Sequence, residues 1–282
     1  MGFGRFWALV SATLLGLNTT FARLAYDGGS NAITVVTFRC LLAIVATAIL
    51  VAALRQSMRL SAGAWLPVIG SSLGLTVTSV CYLAAASLIP VGLAALLFYT
   101  YPLMVAAGRW GRDDGPSAVI FVVAFAGLAL SLGPSLEDLD WRGIALALMA
   151  ATGAWLMFHS AARAVRHRDP MTVSLLSNVG CLPIVAGATF FMGGPAIPVG
   201  AAAWAGFMGA SVCFAVAVLT VFIAIRMAGQ TASALLMNLE PLVSIIAAAI
   251  FLGERLTMLQ YLGASLVLMA LLFSGRIRTR PG

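Results

Sequence analysis

The sequence predicts an all-α integral membrane protein: ten transmembrane helices forming two inverted five-helix repeats around a central cavity. Three observations carry this. The composition is too poor in charge to face water, apolar stretches of membrane-spanning length follow one another along the chain, and the two halves resemble each other at an offset of 139 residues.

The chain is 62% hydrophobic and 9% charged, with a mean hydropathy of +1.05. A soluble domain carries about 25% charged residues, so most of this surface has to face lipid. The basic balance, +7 at neutral pH, does not point to nucleic acid. Its arginines are scattered through short loops rather than gathered on one face. All 16 basic side chains are arginine. Without a lysine there is no Walker A phosphate loop and no Schiff-base cofactor, and no ATP-binding domain is expected in this chain. Cys40, Cys81, Cys181 and Cys213 fall inside apolar stretches at spacings that match no metal or haem motif, and read as small packing residues. No cofactor or metal is expected.

A membrane helix needs about 20 mostly apolar residues. Breaks at Gly, Pro, Asp and Arg place the spans at about 6–25, 33–54, 64–87, 90–109, 117–133, 142–162, 171–192, 200–226, 229–251 and 257–275, with a tight turn at Ile89 and Pro90. Arg5 followed by an apolar run could be a signal peptide. The first span has a counterpart later in the chain, however, and is read as a retained helix.

Sliding the sequence by 139 residues aligns Ala64–Leu103 with Ala203–Leu242 at 11 identities in 40 positions. They include Trp65/Trp204, Gly70/Gly209, Ser72/Ser211 and Pro102/Pro241, and the run 95–97 matches 234–236. Residues 1–139 and 140–282 therefore read as two five-helix units. An odd number of helices per unit turns the second unit over in the membrane, a mark of secondary transporters. With the N-terminus in the cytoplasm, 12 of the 16 arginines lie inside, and the outer loops carry Asp27, Glu137, Asp138, Asp140 and Glu254. The positive-inside rule then puts both termini inside a bacterial-type inner membrane.

The stretch Glu240-Pro241-Leu242-Val243, then Phe251-Leu252-Gly253-Glu254-Arg255-Leu256-Thr257 with Gln260, Gly263 and Ala264, resembles the ninth and tenth helices of the EamA family of the drug/metabolite transporter superfamily. Thr37-Phe38-Arg39-Cys40-Leu41-Leu42-Ala43 is similar to that family's second-helix motif. The first half departs from the pattern: Gly115 stands where the offset would place a second Glu254. The resemblance implies a ten-helix fold with a central cavity. Within the family the chain looks most like YddG-type exporters of amino acids, which implies outward transport of aromatic or large neutral ones.

Two charges lie within spans, where an ionisable group is costly and marks function by default. Glu240 sits about 16 Å into the ninth span, at about 1.5 Å per residue, and reads either as a proton or amine site or as a group tied to Arg39 or to carbonyls freed by Pro241. Arg39 reads as a substrate contact or as a structural ion pair. His159 is a candidate proton carrier. Pro102 and Pro241, equivalent in the two halves, read as hinges. The deep polar and aromatic residues Asn18, Ser79, Tyr82, Tyr99, Trp155 and Asn238 are the expected cavity lining. Ser72, Thr76, Ser79 and Tyr82 share one helical face, and Gly70 and Gly74 form a close-packing surface. Trp65, Trp110, Trp141 and Trp204 fit an interfacial belt.

The partners these residues suggest are a small-molecule substrate, the bilayer and protons. A purely cationic drug would want the Glu240 carboxylate, and a channel would want a continuous polar pore, so an exporter of cationic drugs or other metabolites and a channel-like facilitator are the alternatives. An intramembrane enzyme is disfavoured by the absence of HExxH and of paired membrane aspartates.

Overall fold

The computed structural model describes residues 2–56, 62–107, 118–133, 140–251 and 257–274. Among these residues the chain is entirely helical apart from turns and short loops. Its elements are α1 (Gly2–Asp27), α2 (Ala32–Ala53), α3 (Ala62–Ala86), α4 (Val91–Phe98), α5 (Tyr101–Ala107), α6 (Ala118–Leu132), α7 (Trp141–His167), α8 (Pro170–Phe191), α9 (Ala201–Ala228), α10 (Gln230–Leu236), α11 (Leu239–Phe251) and α12 (Met258–Ser274). Seven helical stretches are long and apolar enough to cross a membrane, with α10 and α11 counted as one; Val91–Ala107, Val119–Leu132 and Met258–Phe273 are shorter apolar helices. The Leu252–Leu256 part of the family-like motif, Trp110, Gly115 and the acidic pair Glu137 and Asp138 lie outside the described residues.

Short polar caps start the helices. The Asn31, Asp140 and Asp169 side chains accept from the backbone N–H of Thr34, Arg142 and Met171 and begin α2, α7 and α8. Gly229 ends α9 and opens α10 at φ +84°, a left-handed conformation that a side chain would strain.

The fourth and ninth predicted spans are not continuous. Each is broken into two helices, at Tyr99–Thr100 and at Met237–Asn238. The cause is local. Pro102 and Pro241 lack an N–H, and their rings clash with the carbonyls four residues back, at Phe98 and Met237. Neighbouring polar side chains add a second donor to carbonyls of the preceding turn that also accept from the backbone: Thr100 Oγ1 donates to Leu97 O at 2.7 Å, and Asn238 Nδ2 to Leu235 O at 2.8 Å. Pro67 and Pro183 sit inside α3 and α8 without breaking them, so proline alone does not decide where a helix parts.

Without a hydrophobic drive between helices in lipid, packing depends on small residues and interhelical hydrogen bonds. The main pairs are α1 on α9, α3 on α7, α6 on α12, α2 on α8, α2 on α9, α3 on α8, α1 on α11, and α4 and α5 on α7. The interior is built of Ala, Ser and Gly among a few large side chains such as Phe121, Phe207 and Phe222. A Cβ on Gly74 would stand 2.6 Å from Gly153 O, so α3 and α7 touch backbone to backbone, and Gly70 packs on the Ser160 side chain of α7. Gly4 packs on Met227 and Ala228, while Gly143 packs on Leu88 and Ile89; each of these residues has its counterpart 139 positions away. Trp65, Trp141 and Trp204 are exposed, as an interfacial belt requires, and all four cysteines are buried and free.

Candidate functional site

Both helix breaks deliver side chains to the same place. Tyr99, 5% exposed, sits at the α4–α5 break, with its side chain close to the Glu240 carboxyl at the start of α11. Tyr82 of α3 and Tyr101 of α5 lie within electrostatic reach of the same carboxylate. The rings form a chain. Tyr82 packs on Phe98 at 5.2 Å between centroids, Phe98 on Tyr99 and on Tyr101 at 5.2 Å each, and Tyr101 on Phe158 of α7 at 5.4 Å. Tilted and edge contacts of this kind are worth about 0.5–1.5 kcal/mol per pair beyond burial. A carboxylate among tyrosines keeps hydroxyl partners without bulk water, which is how a charge is tolerated at depth. Glu240 and Tyr82 nonetheless keep part of their surface accessible.

Helix α1 closes another side. A Cβ on Gly16 would stand 2.6 Å from Glu240 O and 2.6 Å from Val243 Cβ. One turn on, the Thr19 and Ser244 hydroxyls hydrogen-bond at 2.6 Å. Asn18, on the same stretch of α1, is 5% exposed, and its Oδ1 is buried with no partner among the described residues. A buried amide oxygen without a donor is uncommon and costly. It is an acceptor available to a ligand's N–H or to water.

Arg39 and Glu240 form no direct ion pair. The Arg39 guanidinium carbon instead lies 4.2 Å from the centroid of the Phe214 ring, a cation–π contact, with Nε buried and without an acceptor among the described residues. Arg39 still lies within electrostatic reach of Glu240. Trp155 and His159 are both half-buried and stack on one another, 5.5 Å apart and 9° from parallel. Ser79 is buried on α3.

Asn238, an expected cavity residue, and Ser72 and Thr76 on the polar α3 face bond to backbone. Asn238 spends its amide on the Leu235 carbonyl at the break. Ser72 reaches the Leu176 and Ser177 carbonyls of α8 at 3.3 and 3.1 Å, and Thr76 returns to Ser72 O at 2.9 Å. Hydroxyls in an apolar medium take the nearest carbonyl, so part of the polar α3 face is a helix-packing surface. Sequence reasoning missed Tyr101, Phe98, Phe158 and Gly16. Tyr101 had a signal: the 139-residue offset places it opposite Glu240.

At the end of the bundle where α1 meets α2, the turn is bonded to the α8–α9 loop. Val199 N donates to Gly28 O at 2.8 Å, Ser30 Oγ to Ala196 O at 2.8 Å, and Ala196 N to Thr34 Oγ1 at 3.0 Å. A Cβ on Gly28 would collide with Ala203 of α9.

The sequence profile described as the EamA-like transporter family matches residues 2–132 and 141–276. The threonine/homoserine exporter RhtA of Escherichia coli K12 is 29% identical over 189 residues, which cover 64% of this chain and 61% of that protein. The threonine/homoserine exporter RhtA of Salmonella typhimurium SL1344 is 29% identical over 207 residues, covering 70% and 67%. The match thus spans about three fifths to two thirds of those relatives' length. A chain in a solved crystal structure superposes with a TM-score of 0.79 at 15% identity, covering 98% of this chain and 99% of that one, a shared fold.

Proposed function

We propose, for a chain that belongs to the EamA-like transporter family of the drug/metabolite transporter superfamily, that it exports zwitterionic neutral amino acids across the bacterial inner membrane by alternating access. The carrying observation is the Tyr99–Glu240 contact within a cluster of rings, with the Asn18 acceptor on α1. A carboxylate and hydroxyls suit an ammonium, amide and hydroxyl groups suit a carboxylate, and rings supply apolar area. A phosphorylated substrate would want several cations at depth, and only Arg39 is at hand.

Ten membrane spans in two inverted units are part of this reading. The packing supports it: a five-span shift turns the α1–α9 pair into α7–α3 and the α2–α9 pair into α8–α3, and it carries the Gly4 contacts onto those of Gly143. The paired breaks at Pro102 and Pro241 are the proposed hinges. The bonded Gly28–Val199 end, proposed as periplasmic, is the closed gate of the captured state.

Two substrate readings are kept because different observations favour them. The rings of Tyr82, Tyr99 and Trp155 favour large apolar or aromatic side chains. The RhtA relatives export threonine and homoserine by name, which favours small hydroxylated ones. Counterflow into liposomes loaded with Phe, Trp, Thr, homoserine, a sugar or a quaternary amine tests both. Trans-stimulation by amino acids alone is the expected result. Flux without trans-stimulation would identify a channel, and stimulation by the amine alone a drug exporter.

A further inference from the structure

The opposite end of the bundle carries a second feature. Gln56 beyond α2, Arg166, His167, Arg168 and Asp169 at the α7–α8 turn, and Arg226 at the end of α9 surround an open pocket of about 290 Å³. Three guanidinium groups share it with one carboxylate. That carboxylate is already divided: Asp169 Oδ1 accepts from Met171 N at 2.9 Å to cap α8, and Oδ2 lies 3.6 Å from Arg226 Nη1. Arg168 Nε is buried with no acceptor among the described protein atoms. Buried donors are nearly always paired, and a charged one left unpaired is costly. The first turn of α8 opens toward the same pocket and adds its own partial positive charge. The pocket suits an anion with several acceptor oxygens, and it lies at the end of the bundle where apolar helices give way to loops.

We propose that this pocket binds a phosphate group, one that Arg166, Arg168 and Arg226 hold together and that ties the ends of α2, α7 and α9 to one another. Arginine forks suit phosphate oxygens, and basic pockets between membrane helices take anionic headgroups. The phosphate comes either from an anionic phospholipid or from solution. The site is separate from the Tyr99–Glu240 cluster and does not depend on which solute is transported.

The test uses the full chain, purified and delipidated in detergent. Phosphatidylglycerol binding is followed by native mass spectrometry against phosphatidylethanolamine. In parallel, inorganic phosphate is titrated in a thermal-unfolding assay against chloride at equal ionic strength. The expected result is preferential phosphatidylglycerol binding that weakens about 25-fold in Arg168→Gln/Arg226→Gln, about fivefold per arginine removed. Asp169→Asn keeps the α8 cap and removes the competing charge, so it should bind more tightly. It also serves as the readout if the double variant does not fold. Stabilisation by phosphate that the variants alter in the same directions identifies a free anion; lipid binding alone identifies the headgroup. Equal lipid binding by wild type and variants, with no phosphate response, overturns the proposal.

Discussion

Gly16 of α1 lies so close to Glu240 of α11 that a single added methyl would stand 2.6 Å from the Glu240 carbonyl oxygen. The absent side chain lets the two helices meet at the point where the ninth span is broken, and so fixes where the carboxylate stands. Gly16→Ala must therefore push α1 and α11 apart. The expected cost is about 1–3 kcal/mol, as for other overpacked sites, seen as a lower unfolding temperature in detergent together with reduced transport. Gly187→Ala on α8, where nothing lies within 4 Å, should stay within about 0.5 kcal/mol of wild type. Equal behaviour of the two variants would show that α1 and α11 do not meet as described.

Glu240→Gln keeps the shape of the side chain and removes its proton exchange. If Glu240 carries a coupling proton, pH-driven transport is lost while exchange between identical substrates survives. Normal pH-driven transport with Gln would remove Glu240 as the proton site, and a variant that does not fold would make its role structural. Tyr99→Phe deletes the hydroxyl facing the carboxyl and should reduce the same activity by about 10- to 150-fold, a hydrogen bond to a charged group being worth about 1.5–3 kcal/mol.

The half-buried pair Trp155 and His159 tests the substrate side. Trp155→Ala should weaken transport of Phe or Trp more than that of Ala or Thr, because a ring contributes stacking that small substrates do not use. Tyr99→Ala should act likewise. An unchanged ranking of substrates in both variants removes these rings from the binding cavity.

Gly28 offers a handle on the gate. Gly28→Ala places a methyl against Ala203 of α9 and should loosen the turn bonded to Val199 and Ala196. With Asn18→Cys as reporter, a membrane-impermeant thiol reagent added from outside should react faster in the Gly28→Ala background. An unchanged rate would mean that this end does not gate the cavity. The same reagent settles orientation. A cysteine at Arg166 should be shielded in intact cells and labelled after permeabilisation, and labelling from the periplasm would invert the topology.

Long-range order was more legible than chemistry. Apolar length located the helices, including the tight turn at Pro90 that caps α4. The pairing of Pro102 with Pro241 marked the two places where a span parts. Glu240, Tyr82 and Tyr99 stand out in the sequence because a polar group at depth is conspicuous against an apolar background. Asn238 and Ser72 stand out for the same reason, and both bond to backbone carbonyls, because depth along a helix does not say which way a side chain faces.

The sequence by itself determined that this chain is helical, lives in a membrane and repeats itself, since each of these follows from apolar length, charge scarcity and register, all local or additive along the chain. Only the tertiary structure decided which polar groups meet. The Tyr99–Glu240 contact joins residues from different spans, the Arg39 charge turns to the Phe214 ring instead of to Glu240, and Gly16 matters only because α11 presses against it. In lipid, where apolar side chains gain little from one another, those meetings depend on where small residues let backbones approach, and that is a property of the packed bundle.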